Sequence, residues 1–159
     1  LTPESFSRHR RTGTLVAVPG GTMPSENTFD LAMQEEFSMI GSDGGIQAEP
    51  RANSHPRGAG CFAAAIRRGL DIGLPLERIL AKMTTLPRQV VRPVLEGRGC
   101  LEEGAIADLT VFDPATIAAN ATVENPNQQS SGIELVIVRG KPAYQGGRLT
   151  ARNGAPIRR

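Results

Sequence analysis

Tryptophan is absent from this chain of 159 residues, and tyrosine occurs once. With only five phenylalanines besides, there is little from which to build the aromatic platforms that stack unpaired bases. An excess of either charge is also missing, since 18 Lys and Arg face 16 Asp and Glu. So balanced a surface has no strong field to draw a polyanion or an anionic bilayer. No nucleic-acid or membrane partner is therefore expected. Arginines do collect near the ends, at Arg8, Arg10, Arg11, Arg158 and Arg159, where they read as solvated tails. No apolar run approaches the roughly 20 residues of a spanning helix, and no charged-then-apolar leader opens the chain.

Cysteine is scarce too. Cys61 and Cys100 form neither a CxxC pair nor a disulfide framework, so a reducing cytoplasm is the default compartment. Histidine occurs only at His9 and His55, with no His-x-His pair. A metal centre needs several imidazole or carboxylate ligands converging on the cation, so no complete metal site is expected from this chain alone. The glycine-rich run 41–45 lacks the lysine of a phosphate loop. Ser42 lacks the GxSxG setting of a nucleophile elbow. The chain starts at Leu1 rather than Met, as a processed product, a cleaved fragment or a trimmed chain would.

At this length a single domain with a real core is possible. Residues 2–11 read as a short polar helix with Thr2 as N-cap and Pro3 at its first position. The run 15–18 (Leu-Val-Ala-Val) is a buried strand closed by Pro19 and Gly20. Ser25 caps a helix over 26–36 with one apolar face. Residues 37–42 make the next strand. This alternation of strand, helix and strand predicts parallel βαβ pairing. A polar loop over 46–54 precedes a helix over 60–70. Pro75 opens another helix, with Leu76, Ile79, Leu80 and Met83 spaced i, i+3, i+4, i+7. A third short helix starts at Pro87 and cannot comfortably pass Pro93. Beyond Gly97 the character changes. Short strands are predicted over 108–112, 134–138 and 143–144, with a long polar segment over 114–131.

The most informative stretch is Met39-Ile40-Gly41-Ser42-Asp43-Gly44-Gly45, followed by His55-Pro56-Arg57-Gly58. An apolar strand leads to a carboxylate in a glycine-rich turn, then to a basic loop and a helix. Barrel enzymes place catalytic groups at such strand ends. By itself Ser-Asp-Gly-Gly is equally good turn chemistry, so Asp43 is either a turn residue or a proton-transfer group. Arg57 is either a surface arginine or a two-pronged grip for a carboxylate. His55 either shapes the loop or touches a metal or substrate. Cys61, opening a helix, reads as a small buried residue rather than a ligand.

Four stretches carry a resemblance to the amidohydrolase superfamily, and within it to the D-aminoacylase-like (N-acyl-D-amino-acid deacylase) branch. They are Ser42-Asp43-Gly44; His55-Pro56-Arg57-Gly58 with Gly60-Cys61-Phe62; Leu-Glu-Arg-Ile-Leu-Ala-Lys-Met-Thr-Thr-Leu-Pro over 76–87; and Gly-Cys-Leu-Glu-Glu-Gly-Ala-Ile-Ala-Asp-Leu-Thr-Val-Phe-Asp-Pro over 99–114. A weaker echo is the run 132–140, which ends in Arg139-Gly140 where the family more often has Asn-Gly.

The resemblance implies an α/β fold: the last βα units of an incomplete TIM-like barrel (strands seven and eight) over residues 1–97, then a β-rich module over 98–159. That module would be the C-terminal half of the amidohydrolase β-sandwich. A closed barrel needs about 250 residues, so the missing N-terminal portion, or self-association, is the expected protein partner. The implied reaction is hydrolysis of a linear amide, an N-acyl-D-amino acid, with Zn2+ as cofactor in the complete enzyme and most ligands outside this chain. Asp43 would take a proton from a metal-bound water and pass it to the leaving amine, and is itself a possible ligand. Arg57 would hold the α-carboxylate of a small-molecule substrate, with Gly44 and His55 beside it. Two alternatives stay open: a catalytically incomplete fragment serving as a structural or interaction module, and a related amidohydrolase acting on dipeptides or cyclic amides.

Overall fold

A computed structural model describes residues 2–12, 26–45, 55–91 and 94–157. The predicted strand over 15–18, the Ser25 cap, the loop over 46–54 and Pro93 lie outside them. Among the described residues five helices come first: α1 (Pro3–Thr12), α2 (Glu26–Gln34), α3 (Arg57–Asp71), α4 (Leu76–Ala81) and α5 (Thr85–Val90). Four strands follow: β1 (Leu109–Phe112), β2 (Ile133–Val138), β3 (Lys141–Gln145) and β4 (Arg148–Leu149). Among the described residues no helix is long and apolar enough to cross a membrane.

The α1 start is capped as its sequence predicts. Thr2 Oγ1 accepts the Ser5 N–H at 3.2 Å, and the Thr2 N–H donates to Ser5 Oγ at 2.9 Å. Two donors that a helix start leaves orphaned are thereby satisfied reciprocally. α3 begins three residues before its predicted start, so Arg57 is its first residue. It ends in a Schellman motif. Gly73, at φ 79°, donates to Leu70 C=O at 3.0 Å, and Leu74 N–H reaches Gly69 C=O at 2.9 Å. This closure turns Leu74 back into the core, where it is buried. Pro75 sits just ahead of α4 rather than inside it, and α5 starts two residues before Pro87. α2 stops at Gln34, short of the predicted Glu36.

Two expectations are corrected. Residues 38–42 are not a strand, and Phe37 lies in a turn. A strand requires a row of ladder bonds to a neighbour. The Ile40 N–H instead goes to the C=O of Lys82, the residue that caps the end of α4, at 3.0 Å. Nor is there parallel pairing among the described residues. Their one sheet, ordered β1-β2-β3-β4, is antiparallel throughout. β2 and β3 are joined by Arg139 and Gly140, at φ 53° and 77°, which suits a two-residue type I′ turn. The short β4, unforeseen from the sequence, follows a Gly146-Gly147 turn with positive φ at both residues.

The core joins helices to sheet. Met33 of α2, Ala63 and Ile66 of α3, Leu74, Ile79 of α4 and Ile117 form one buried cluster, with Phe112 and Ile133 packed against it. Ile79 is fully buried, an apolar removal from water contributing about 1.5–3 kcal/mol. It lies so close to α3 that a Cβ on Gly69 would stand 2.6 Å from its Cδ1. The segment between β1 and β2 is tied to α3 by Arg67 Nη1 on Pro114 C=O at 3.2 Å and Ser130 Oγ on Ala59 C=O at 3.2 Å. These contacts hold α3, and hence Arg57 at its start, against the rest of the chain.

Candidate active site

Asp43 stands in a left-handed turn at φ 45°, a conformation that aspartate tolerates better than most residues. The Gly44 N–H donates to Ser42 Oγ at 3.3 Å, tightening that turn. Gly44 then backs onto the first turn of α3. A Cβ there would lie 2.8 Å from Gly58 Cα, and one on Gly58 would lie 2.7 Å from Gly45 C=O. Only a glycine pair permits backbones to approach so closely. This approach carries Asp43 across to Arg57, whose Nη2 lies 3.0 Å from Asp43 Oδ2. The pair is open to solvent, with side-chain exposures of 89% for Asp43 and 46% for Arg57.

His55 is exposed, and its Nδ1 accepts the Arg57 backbone N–H at 3.1 Å. In the neutral ring an accepting Nδ1 puts the proton on Nε2. The ring therefore supplies the side-chain acceptor that Pro56, the residue at the N-cap of α3, does not. Cys61 is half-buried, its Sγ 3.8 Å from Gly41 C=O. Burial pushes its thiol up, and the Arg57 guanidinium pulls it the other way.

A cleft of about 480 Å³ opens beside Arg57. Phe29 and Met33 of α2, Met39 and Ile40, and Ala64 of α3 give it an apolar wall. Arg68 also lines it and clamps Asp30 through two 2.7 Å hydrogen bonds. Those bonds hold the Asp30 carboxyl below its usual range, against the opposing effect of burial.

Lys82, unmarked as a functional residue in the sequence, is 1% exposed. Its Nζ donates to Ser38 Oγ at 2.8 Å, to Ser38 C=O at 3.2 Å and to Glu35 C=O. Burial pushes its amine below the ordinary value, with Arg78 adding to the effect and Glu35 and Glu36 opposing it. The available signal was its place three residues after Ile79, on the face that α4 buries.

Among the described residues, no group of three or more His, Cys, Asp or Glu side chains gathers where it could hold a metal ion. The His9 side chain lies outside those residues. The described donors around Asp43 are too few by themselves for a zinc centre, which takes at least three protein ligands.

An exposed carboxylate paired with a guanidinium, beside an apolar cleft, is suited to moving a proton next to a bound acid. The model of the amidohydrolase family matches residues 29–144, and the chain belongs to that family. Among its relatives is the D-aminoacylase of Alcaligenes xylosoxydans xylosoxydans, 43% identical over 128 residues, which are 74% of this chain and 25% of that protein. The N-acyl-D-glutamate deacylase of the same organism is 38% identical over 144 residues, 82% of this chain and 28% of the relative. Among solved structures, the N-acyl-D-glutamate deacylase from Bordetella bronchiseptica, complexed with zinc and a phosphonate inhibitor, superposes with a TM-score of 0.71 at 35% identity. That match covers 85% of this chain and 28% of the Bordetella chain. This chain thus spans about a quarter of the length of the curated relatives it matches.

Proposed function

We propose that this chain is the C-terminal portion of a metal-dependent amidohydrolase that hydrolyses N-acyl-D-amino acids. Residues 1–97 then belong to the C-terminal part of its barrel domain, and residues 98–159 to the C-terminal half of its β-sandwich. The observation that carries the proposal is the 3.0 Å approach of Asp43 to Arg57, set at the start of α3 beside an apolar cleft. Asp43 is the carboxylate that takes up a proton and returns it to the leaving amine. Arg57 grips the substrate α-carboxylate through its planar fork of donors. His55 and Gly44 hold the loop that presents them. The apolar cleft receives the acyl group or side chain. Zinc, present in the Bordetella structure, is the metal of the complete enzyme, with ligands beyond those brought together here.

The test is kinetic, on the enzyme assembled with its N-terminal portion. N-acyl-D-amino acids are hydrolysed and their L-isomers are not. Arg57→Lys keeps the charge but loses the fork, so KM for the acid rises more than kcat falls. A carboxylate-free amide analogue is indifferent to the change. Equal damage with acids and carboxylate-free analogues would return Arg57 to a structural role.

A further inference from the structure

The geometry points to Lys82 as the positioning residue for Asp43, gripping the segment that leads to it; this rests on the reading of Asp43 as the proton-transfer carboxylate. Residues 38–45 have no strand ladder to hold them. Lys82 ties their leading end from two directions. Its backbone C=O takes the Ile40 N–H at 3.0 Å. Its ammonium group, with three donors, meets the carbonyls of Glu35 and Ser38 and the Ser38 hydroxyl. Asp43 follows Ile40 by three residues and is pinned on its far side where Gly44 meets Gly58. The segment that bears the carboxylate is thus anchored ahead of Asp43 by the amine of Lys82 and beyond it by the glycine contact, while Arg57 meets the carboxylate itself.

Packing does not explain the choice of lysine. A methionine of similar length would fill the site with no charge to desolvate, and a buried ammonium costs several kcal/mol unless its hydrogen bonds are met. What lysine adds is three directed bonds onto the backbone ahead of Asp43. Arg57 pairs with Asp43 but is carried by α3 rather than by the gripped segment. Loss of the grip therefore displaces the proton-transfer group and leaves the carboxylate-binding group in place.

The experiment compares variants of the assembled enzyme on an N-acyl-D-amino acid. Lys82→Met lowers kcat about tenfold or more, since misplacement by an ångström can cost about a hundredfold, while KM stays within about twofold. Lys82→Cys is equally slow, and alkylation with bromoethylamine in denaturant before refolding and assembly, which rebuilds an amine of lysine length, restores most of the kcat. The parent enzyme treated in the same way controls for Cys61 and Cys100. Ser38→Ala removes one acceptor and lowers kcat about two- to fivefold at unchanged KM. Should Lys82→Met not fold, this variant decides the matter. The inference is overturned if Lys82→Met changes only the thermal midpoint, if kcat and KM suffer alike, or if Ser38→Ala leaves kcat untouched. Asp43→Asn, run in parallel, separates the two claims. A fast Asp43→Asn enzyme removes the role of Asp43 itself, whereas a slow one beside a fast Lys82→Met removes only the positioning.

Discussion

Asp43→Asn is the perturbation in which stability and activity separate most widely. Asp43 pairs with Arg57 at 3.0 Å, but with side-chain exposures of 89% and 46% the pair is largely solvated. Ion pairs of that kind contribute about 0–1 kcal/mol to folding. The backbone adds little, because at φ 45° asparagine is as well accommodated as aspartate. Alanine would be a poorer probe, since a left-handed conformation costs an ordinary residue about 1–2 kcal/mol. Urea unfolding of the chain therefore shifts by less than about 1 kcal/mol. Activity behaves differently. Losing a general acid–base group lowers kcat about a hundredfold or more, or about 2.7 kcal/mol in the barrier. KM for an acid does not rise, because the substitution takes away a carboxylate that competes for Arg57. Steady-state kinetics on the assembled enzyme, together with the unfolding curve, read all three quantities. A kcat within about threefold of the parent would refute the role of Asp43. A stability loss above about 2 kcal/mol, well beyond an exposed pair, would refute the account of its setting.

Gly69→Ala places a methyl 2.6 Å from Ile79 Cδ1 and 3.2 Å from Met33 Cε. Overpacking of about 1–3 kcal/mol outweighs the helix-propensity gain of about 1 kcal/mol; in an Ile79→Ala background the same change becomes neutral or stabilising in a double-mutant cycle. Arg139→Asn relieves a left-handed arginine in the β2–β3 turn and raises unfolding stability by about 0.5–1 kcal/mol. The Asp30 carboxyl is lowered by its bonds to Arg68, so its contribution is complete above the ordinary value of 3.8 and is lost as pH falls through the lower folded value. In Asp30→Asn the acid limb of the stability–pH curve is correspondingly shallower. Finally, Phe37 and Leu101 are 80% and 86% exposed, and Phe29 and Met39 line an open cleft. The isolated chain accordingly associates in a concentration-dependent way by ultracentrifugation, and a compact monomer at micromolar concentration would argue against it.

Much of this protein can be read in local chemistry, because the interactions that set it are local. Thr2 and Pro3 announce the start of α1, and the i, i+3, i+4 spacing of Leu76, Ile79 and Leu80 announces the buried face of α4. The β-rich character beyond Gly97 follows from short apolar runs between turn residues. Asp43 and Arg57 stand out by residue type and motif, although 14 positions separate them. Tertiary structure decided what depends on partners distant in the chain. Residues 37–42 have the composition of a strand, but a strand exists only with a neighbour, and here Ile40 bonds to Lys82 instead. Periodicity placed the start of α3 at Gly60; the hydrogen bond from the Arg57 N–H to His55 Nδ1 and the close contact of Gly44 with Gly58 belong to a start at Arg57. Lys82 is charged, and a charge is expected on the surface. Its burial became legible only once the carbonyls of Glu35 and Ser38, more than forty residues away, were folded around its amine.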